Sequence, residues 1–361
     1  MTVRIAKQPV NIREKLSELE RPIGLNGSAL MRTETPQEAF SLIGAGRRNL
    51  IINGGFDVWQ RGTTGSLVGG PAYVSADRWK IYVNTSTTIT LSRQTFTSGQ
   101  TEVPGNPTYY GRFSWLGTVS AQFFGIEELV EGVHHGAGDY LTISFYARTG
   151  NGENMTLGVN RNFGSGGSTG DTVGNYTLEL ETYWKKFVIT IPVPSLSGKT
   201  IGSGNYMSIT WYRSGTVSTY LDLSNVQVEY GKTATPFEHR SYGEELALCQ
   251  RYCIVYGGAE TRHLGIASMY TSTAVNITLC TPTTMRAQPV LTKVLNGNSQ
   301  WLQVYVGAFG TNSNATIEMG EGGSTNNFRL YCTGAHSGST TGYAAWVQIL
   351  AGAKLILSAE L

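Results

Sequence analysis

Asn49-Leu50-Ile51-Ile52-Asn53-Gly54-Gly55-Phe56-Asp57-Val58-Trp59-Gln60-Arg61-Gly62 reads as the opening of a β-sandwich. A matching close stands far downstream, at Leu221-Asp222-Leu223-Ser224-Asn225-Val226-Gln227-Val228-Glu229-Tyr230-Gly231. The first and last strands of such a sandwich commonly pair, so the two stretches bracket one domain. Between them, apolar residues fall at every second position in Thr87-Thr88-Ile89-Thr90-Leu91-Ser92 and in Leu141-Thr142-Ile143-Ser144-Phe145. That period gives one buried and one wet face. Strands are expected at 49–53, 78–84, 87–93, 109–116, 139–148, 154–160, 184–192, 206–213 and 219–230, with Gly/Ser/Asn turns such as Gly164–Gly170 between them.

Composition agrees with an all-β surface protein. Charged residues are 14% of the 361, against roughly 25% in average domains, and glycine numbers 45. The net charge of +2 and the absence of a basic arm or stripe argue against a nucleic-acid partner. No run approaches the ~20 apolar residues of a membrane span, so no membrane insertion is expected. Met1–Val10 carries charges and no apolar core, so no signal peptide is expected there.

The chain divides into four parts. Residues 1–47 read as a helical segment that docks or oligomerises. Its first helix, 11–20, starts at Asn11 and stops at Pro22. Ile12, Leu16, Leu19 and Ile23 form an apolar seam of coiled-coil spacing on a helix too short to stand alone. A second helix, 36–43, follows the capping box Thr35-Pro36-Gln37-Glu38. Residues 48–240 are the sandwich. Residues 241–256 read as a linking helix, capped by Ser241 and running from Tyr242 to Val255, with Cys249 and Cys253 on one face as packing thiols. Residues 257–361 are a second β-domain, with alternating strands at 275–279, 302–306 and 347–349 and an apolar strand at 355–361. The fold class is therefore mainly β: a short N-terminal helical anchor, a jelly-roll β-sandwich, a linking helix and a C-terminal β-sandwich.

No catalytic motif stands out, and an enzyme is not expected. There is no G-x-S-x-G, P-loop or H-E-x-x-H. Cys249, Cys253, Cys280 and Cys332 form no paired zinc motif. His134-His135 sits between glycines, as a surface turn does. Glu127 and Glu128 would point to opposite faces of a strand, which denies them a shared glycosidase cleft. Aromatics are the better clue, since an exposed ring offers an apolar face to sugar C–H groups and a polar tip. Trp79 and Trp211 are assigned inside. Trp59, Tyr109, Tyr110 and Trp115 are the candidates for glycan contact, with Tyr109 and Tyr110 on opposite faces.

Several motifs carry a family resemblance. Asn11-Ile12-Arg13-Glu14-Lys15-Leu16, Arg32-Thr33-Glu34-Thr35-Pro36-Gln37-Glu38 and Gly46-Arg47-Arg48-Asn49-Leu50-Ile51-Ile52-Asn53-Gly54-Gly55-Phe56 look like the head of phage tail-fibre and other virion-surface proteins. Ala76-Asp77-Arg78-Trp79, the segment Val226–Glu238 and the segment Glu244–Tyr252 resemble later segments of the same family. The resemblance spans residues 11–252. It implies a virion protein made in the host cytoplasm: a trimeric tail fibre or receptor-binding protein that docks to other virion proteins through residues 1–47 and attaches to host-surface polysaccharide. A non-adhesive head-decoration, head-fibre or baseplate protein is the alternative, and a polysaccharide-trimming enzyme the third reading. Likeness to carbohydrate-binding jelly rolls further implies a structural calcium, for which Asp57, Asp222 and Glu229 are the nearby acids.

Overall fold

The computed structural model describes residues 48–116, 123–215, 217–320 and 324–361. The helices expected in 1–47, with Ile12, Leu16, Leu19 and Ile23, lie outside the described residues. What is described is mainly β, with one helix among the described residues.

Ten antiparallel strands build the first body: β1 (Thr64–Ala72), β2 (Trp79–Thr95), β3 (Tyr109–Trp115), β4 (Phe123–Glu131), β5 (Tyr140–Thr149), β6 (Met155–Asn162), β7 (Asp171–Leu178), β8 (Lys185–Pro192), β9 (Tyr206–Ser214) and β10 (Thr219–Tyr230). The sheet order is β7-β6-β9-β4-β2-β3-β10-β5-β8, with β1 on β2. The long β2 makes this a sandwich. Its residues 79–83 pair with β4 and its residues 89–95 with β3, so one strand serves both layers. Trp79, Ile81, Val83, Ile89 and Leu91 alternate into the core. Trp211 of one layer meets Phe145 of the other edge-on, with ring centroids 5.2 Å apart, and Trp79 at 5.8 Å.

The bracketing stretches do meet. Leu50 N–H donates to the Val228 carbonyl at 2.8 Å and Val226 N–H to that of Gly54 at 2.9 Å. The Asn49 amide completes the seam, donating to Val226 O and accepting from Val228 N–H, each at 3.0 Å. Residues 49–53 nevertheless do not form a strand. Three strands escape the alternation test for physical reasons. β1 is glycine-rich and mostly exposed, β7 is a polar edge strand, and β4 is buried on both faces along most of its length.

The helix α1 (Tyr242–Gln250) starts as expected, with Ser241 accepting from Glu244 N–H at 3.3 Å. It ends at Gln250 and not Val255. The next residues form β11 (Cys253–Gly257), whose pairing with β20 (Lys354–Ser358) outweighs further helix. Cys249 and Cys253 therefore do not share a helical face; both are buried, and all four cysteines are free. The remaining strands are β12 (Arg262–Met269), β13 (Val275–Cys280), β14 (Val290–Val294), β15 (Leu302–Val306), β16 (Phe309–Ser313), β17 (Thr316–Met319), β18 (Asn327–Thr333) and β19 (Ala344–Ile349). A seven-stranded sheet, β16-β15-β19-β12-β13-β18-β17, and a three-stranded one, β11-β20-β14, share a core that includes Trp301, Phe328, Leu355 and Leu357.

The two bodies meet through α1 and a buried charge network. Cys249 and Tyr252 pack with Ile52 and Val58, with Leu361 alongside. Arg78, 1% exposed, donates to the Leu129 carbonyl, pairs with Glu360 and lies 3.7 Å from the Tyr252 ring centre. Arg61 bridges Asp77 at 3.3 Å and Glu360 at 3.0 Å.

Candidate functional site

The solvent face of the β2–β4–β9–β6 layer carries an aromatic trio. Alternation places Trp79, Ile81 and Trp211 inside, which turns Lys80, Tyr82 and Tyr212 outward. Across the strands Tyr82 pairs with Gly125, and Gly125 with Tyr212. A Cβ at position 125 would stand 2.5 Å from the Tyr82 hydroxyl oxygen, so the glycine is what lets that side chain lie down across β4. Phe123, 37% exposed, completes the trio, with centroids 5.4 Å from Tyr82 and 5.1 Å from Tyr212.

Polar groups border the rings. Lys80 pairs with Glu127 at 2.9 Å, and Thr210 donates to Glu127 at 3.2 Å. Asn84 accepts from Phe123 N–H at 2.8 Å, and Tyr212 donates to Asn175 at 3.4 Å. Burial, then the charges of Glu127 and Tyr212, push the Tyr82 phenol up, so it stays a hydroxyl donor. Depressions of ≈ 780 and ≈ 610 Å³ open at the two ends, the first against Val68–Pro71, the second against Asn151–Thr156. Adjacent Glu128 is turned to the interior, where it accepts from Ile52 N–H at 2.9 Å.

The residues singled out in sequence lie elsewhere. Trp59 and Tyr109 come together in a cleft of ≈ 560 Å³, with Asp57, Gln60, Arg93 and Tyr242. Trp59 is only 8% exposed, and Arg93 covers the Tyr109 ring at 4.3 Å. Tyr110 and Trp115 are corrected from candidate contacts to core. Val103 of the β2–β3 loop packs on Tyr110 together with Trp184, while the Trp115 indole donates to Val217 O at 2.8 Å. Rings so covered offer no face to a ligand.

The three acids do not gather into a cation site. Asp222 is clasped by Arg112 at 2.7 and 2.8 Å and by Arg148 at 2.8 Å. Glu229 accepts from Thr235 N–H at 2.9 Å and from its hydroxyl at 2.6 Å. Asp57 faces its own cleft. No group of three His, Cys, Asp or Glu placed to hold a metal occurs among the described residues.

Among the solved structures that resemble part of the chain are two carbohydrate-binding modules and a phage tailspike domain. One is a family 11 carbohydrate-binding module from Clostridium thermocellum in complex with a β-1,3-1,4-mixed-linked tetrasaccharide: 16% identity over 48% of this chain and 98% of that one, TM-score 0.29. Another is TmCBM61 in complex with β-1,4-galactotriose: 15% identity over 51% and 99%, TM-score 0.31. The third is the enzymatically active domain of bacteriophage CBA120 tailspike protein 4: 14% identity over 50% and 21%, TM-score 0.33. No family model and no curated protein matches the chain. Likeness of this degree carries no argument about what the chain does.

The trio was readable in one respect. Trp211 assigned inward forces Tyr212 outward, by strand alternation alone. Its partner Tyr82 and the glycine between them depend on strand pairing, which no local pattern reveals.

Asp57 supplies a pH test. Burial and then the nearby Glu245 charge raise its carboxyl to about 6 from 3.8. A raised carboxyl makes the folded state bind more protons than the unfolded one between about pH 4 and 6. Its contribution to stability therefore falls as pH rises through that window. Asp57→Asn is expected to raise the melting temperature at pH 7 more than at pH 4.5; an equal shift at both would overturn the assignment.

Proposed function

We propose that the chain is a phage virion protein that attaches to host-surface glycan through the solvent face of its first sandwich. One observation carries the binding part: Tyr82, Phe123 and Tyr212 form a contiguous ring surface on the solvent face, Phe123 exposed and the two tyrosines half-buried, made possible by Gly125 and bordered by Lys80, Glu127, Asn84 and Asn175. Flat aromatic surface beside hydroxyl, amide and charged groups suits a pyranose, whose C–H face stacks while its rim hydroxyls take hydrogen bonds. The virion part rests on the sequence motifs between residues 11 and 252.

In this reading the chain binds without cleaving. Three copies associate, and residues 1–47 hold them to other virion proteins. Deleting 1–47 is expected to leave a folded protein that no longer joins particles; loss of folding would overturn the docking role.

Glycan-array binding of the full chain tests the site. Tyr212→Ala is expected to weaken the best ligand about tenfold, which corresponds to about 1.4 kcal/mol. Tyr82→Ala together with it should abolish detectable binding. Unchanged binding by the double variant would overturn the site, and release of reducing ends from polysaccharide would overturn the non-enzymatic reading.

A further inference from the structure

The second body carries an exposed ring row that the first site does not involve. Trp346 on β19 is 58% exposed, and Ile266, its direct partner on β12, is 81% exposed. His263 and Tyr305 flank the indole, with centroids 5.7 and 5.9 Å away. Tyr305 pairs with Gly310 on β16, and a Cβ at 310 would stand 2.5 Å from a Tyr305 ring carbon. The ring thus lies down over the neighbouring strand, as Tyr82 does over Gly125.

Next along the same face, Gln348 donates to Gln303 at 2.5 Å. Each amide keeps hydrogen-bonding capacity beyond that contact: Gln348 its carbonyl oxygen and Gln303 its N–H groups.

Charge and size narrow the occupant. No Asp or Glu stands on β12, β15, β16 or β19. Two bases stand on them: Arg262, paired with Glu260 at 2.9 Å, and His263 beside the indole. A cationic ligand finds no carboxylate on these strands, and an anionic one would meet a single imidazole and a guanidinium already paired. Four strands at ~4.8 Å spacing make the row about 15 Å wide, a patch of a few hundred Å². A stable protein interface takes roughly 800 Å² from each partner. Rings about one pyranose apart, with amides beside them, fit a short sugar chain better than a protein surface.

We infer that this face is a second carbohydrate platform, taking a neutral oligosaccharide across Trp346 and Tyr305. It stands independently of the first site, because the two are probed by separate substitutions. The test uses the full chain with cellotetraose, xylotetraose, mannotetraose and β-1,4-galactotetraose, read by quenching of tryptophan fluorescence and by sedimentation.

At least one of these sugars is expected to quench the native protein. Trp346→Ala should lose that quenching and weaken affinity about tenfold or more, while Tyr212→Ala leaves it in place. Gly310→Ala, which displaces Tyr305 and spares the indole, should weaken the same sugar. Equal responses from native protein and Trp346→Ala to all four sugars would overturn the inference. So would a native oligomer that Trp346→Ala dissociates, since the face would then be a contact between copies of the chain.

Discussion

Arg78→Ala is expected to lower the unfolding free energy by about 3–5 kcal/mol, the usual cost of removing one member of a buried ion pair. Burial alone would push the guanidinium's pKa down. Glu360, then Tyr73 and Glu128, outweigh it and hold the group charged. Its loss would strand Glu360, itself nearly buried, beside Arg61 alone. It would also free the Leu129 carbonyl and the face of Tyr252. Denaturant titration checks the value. Because Arg78 and Glu360 belong to different bodies, Glu360→Gln should be destabilising as well, and the double variant should fall short of the sum. Additive effects would show that the pair does not couple the two bodies.

Asn53→Ala is expected to cost a similar amount, about 3–5 kcal/mol, through a different mechanism. Asn53 is fully buried with φ +60°. Its side chain donates to Val58 O at 2.8 Å and to Asp77 O at 2.9 Å, and accepts from Val58 N–H at 2.9 Å. Its own N–H donates to Glu245 at 2.6 Å. Alanine removes three buried hydrogen bonds, each worth about 1 kcal/mol or more when a partner is left unsatisfied. It also meets about 1–2 kcal/mol of left-handed backbone strain. Asn53→Gly separates the two, since it loses the bonds while relieving the strain. The glycine variant should be the more stable by about 1 kcal/mol in the same titration; the reverse order would remove backbone strain from the account.

That asparagine shows how far the sequence could be read. The bracket from Asn49 to Gly62 is visible as a motif because local backbone demands fix its residue types. Its closure on 226–228 is a matter of pairing the outer segments of one sandwich. Trp79 and Trp211 are legible as core from alternation alone. The site is less so. Tyr110 looks like Tyr109 in sequence; what buries it is Val103, on a loop whose path no period encodes. Asp222 resembles a cation ligand until Arg112 and Arg148 arrive from two other strands. The end of α1 at Gln250 likewise depends on β20, about a hundred residues downstream. Wherever a residue's fate is set by a partner distant in the chain, composition and period stay silent.

The clasp on Glu360 also has a temporal side. Arg78 precedes it by 282 residues. At translation speeds of 5–20 residues per second, that gap is roughly 15–60 s. A ribosome therefore presents the first sandwich with Glu128 already beside Arg78 but with its closer acidic partner, Glu360, yet to be made. Until synthesis has passed residue 360, Arg78 has, among the described residues, only Glu128 and the Leu129 carbonyl as polar partners and Arg61 only Asp77, so the first sandwich gains its last carboxylate after all its own strands have been made.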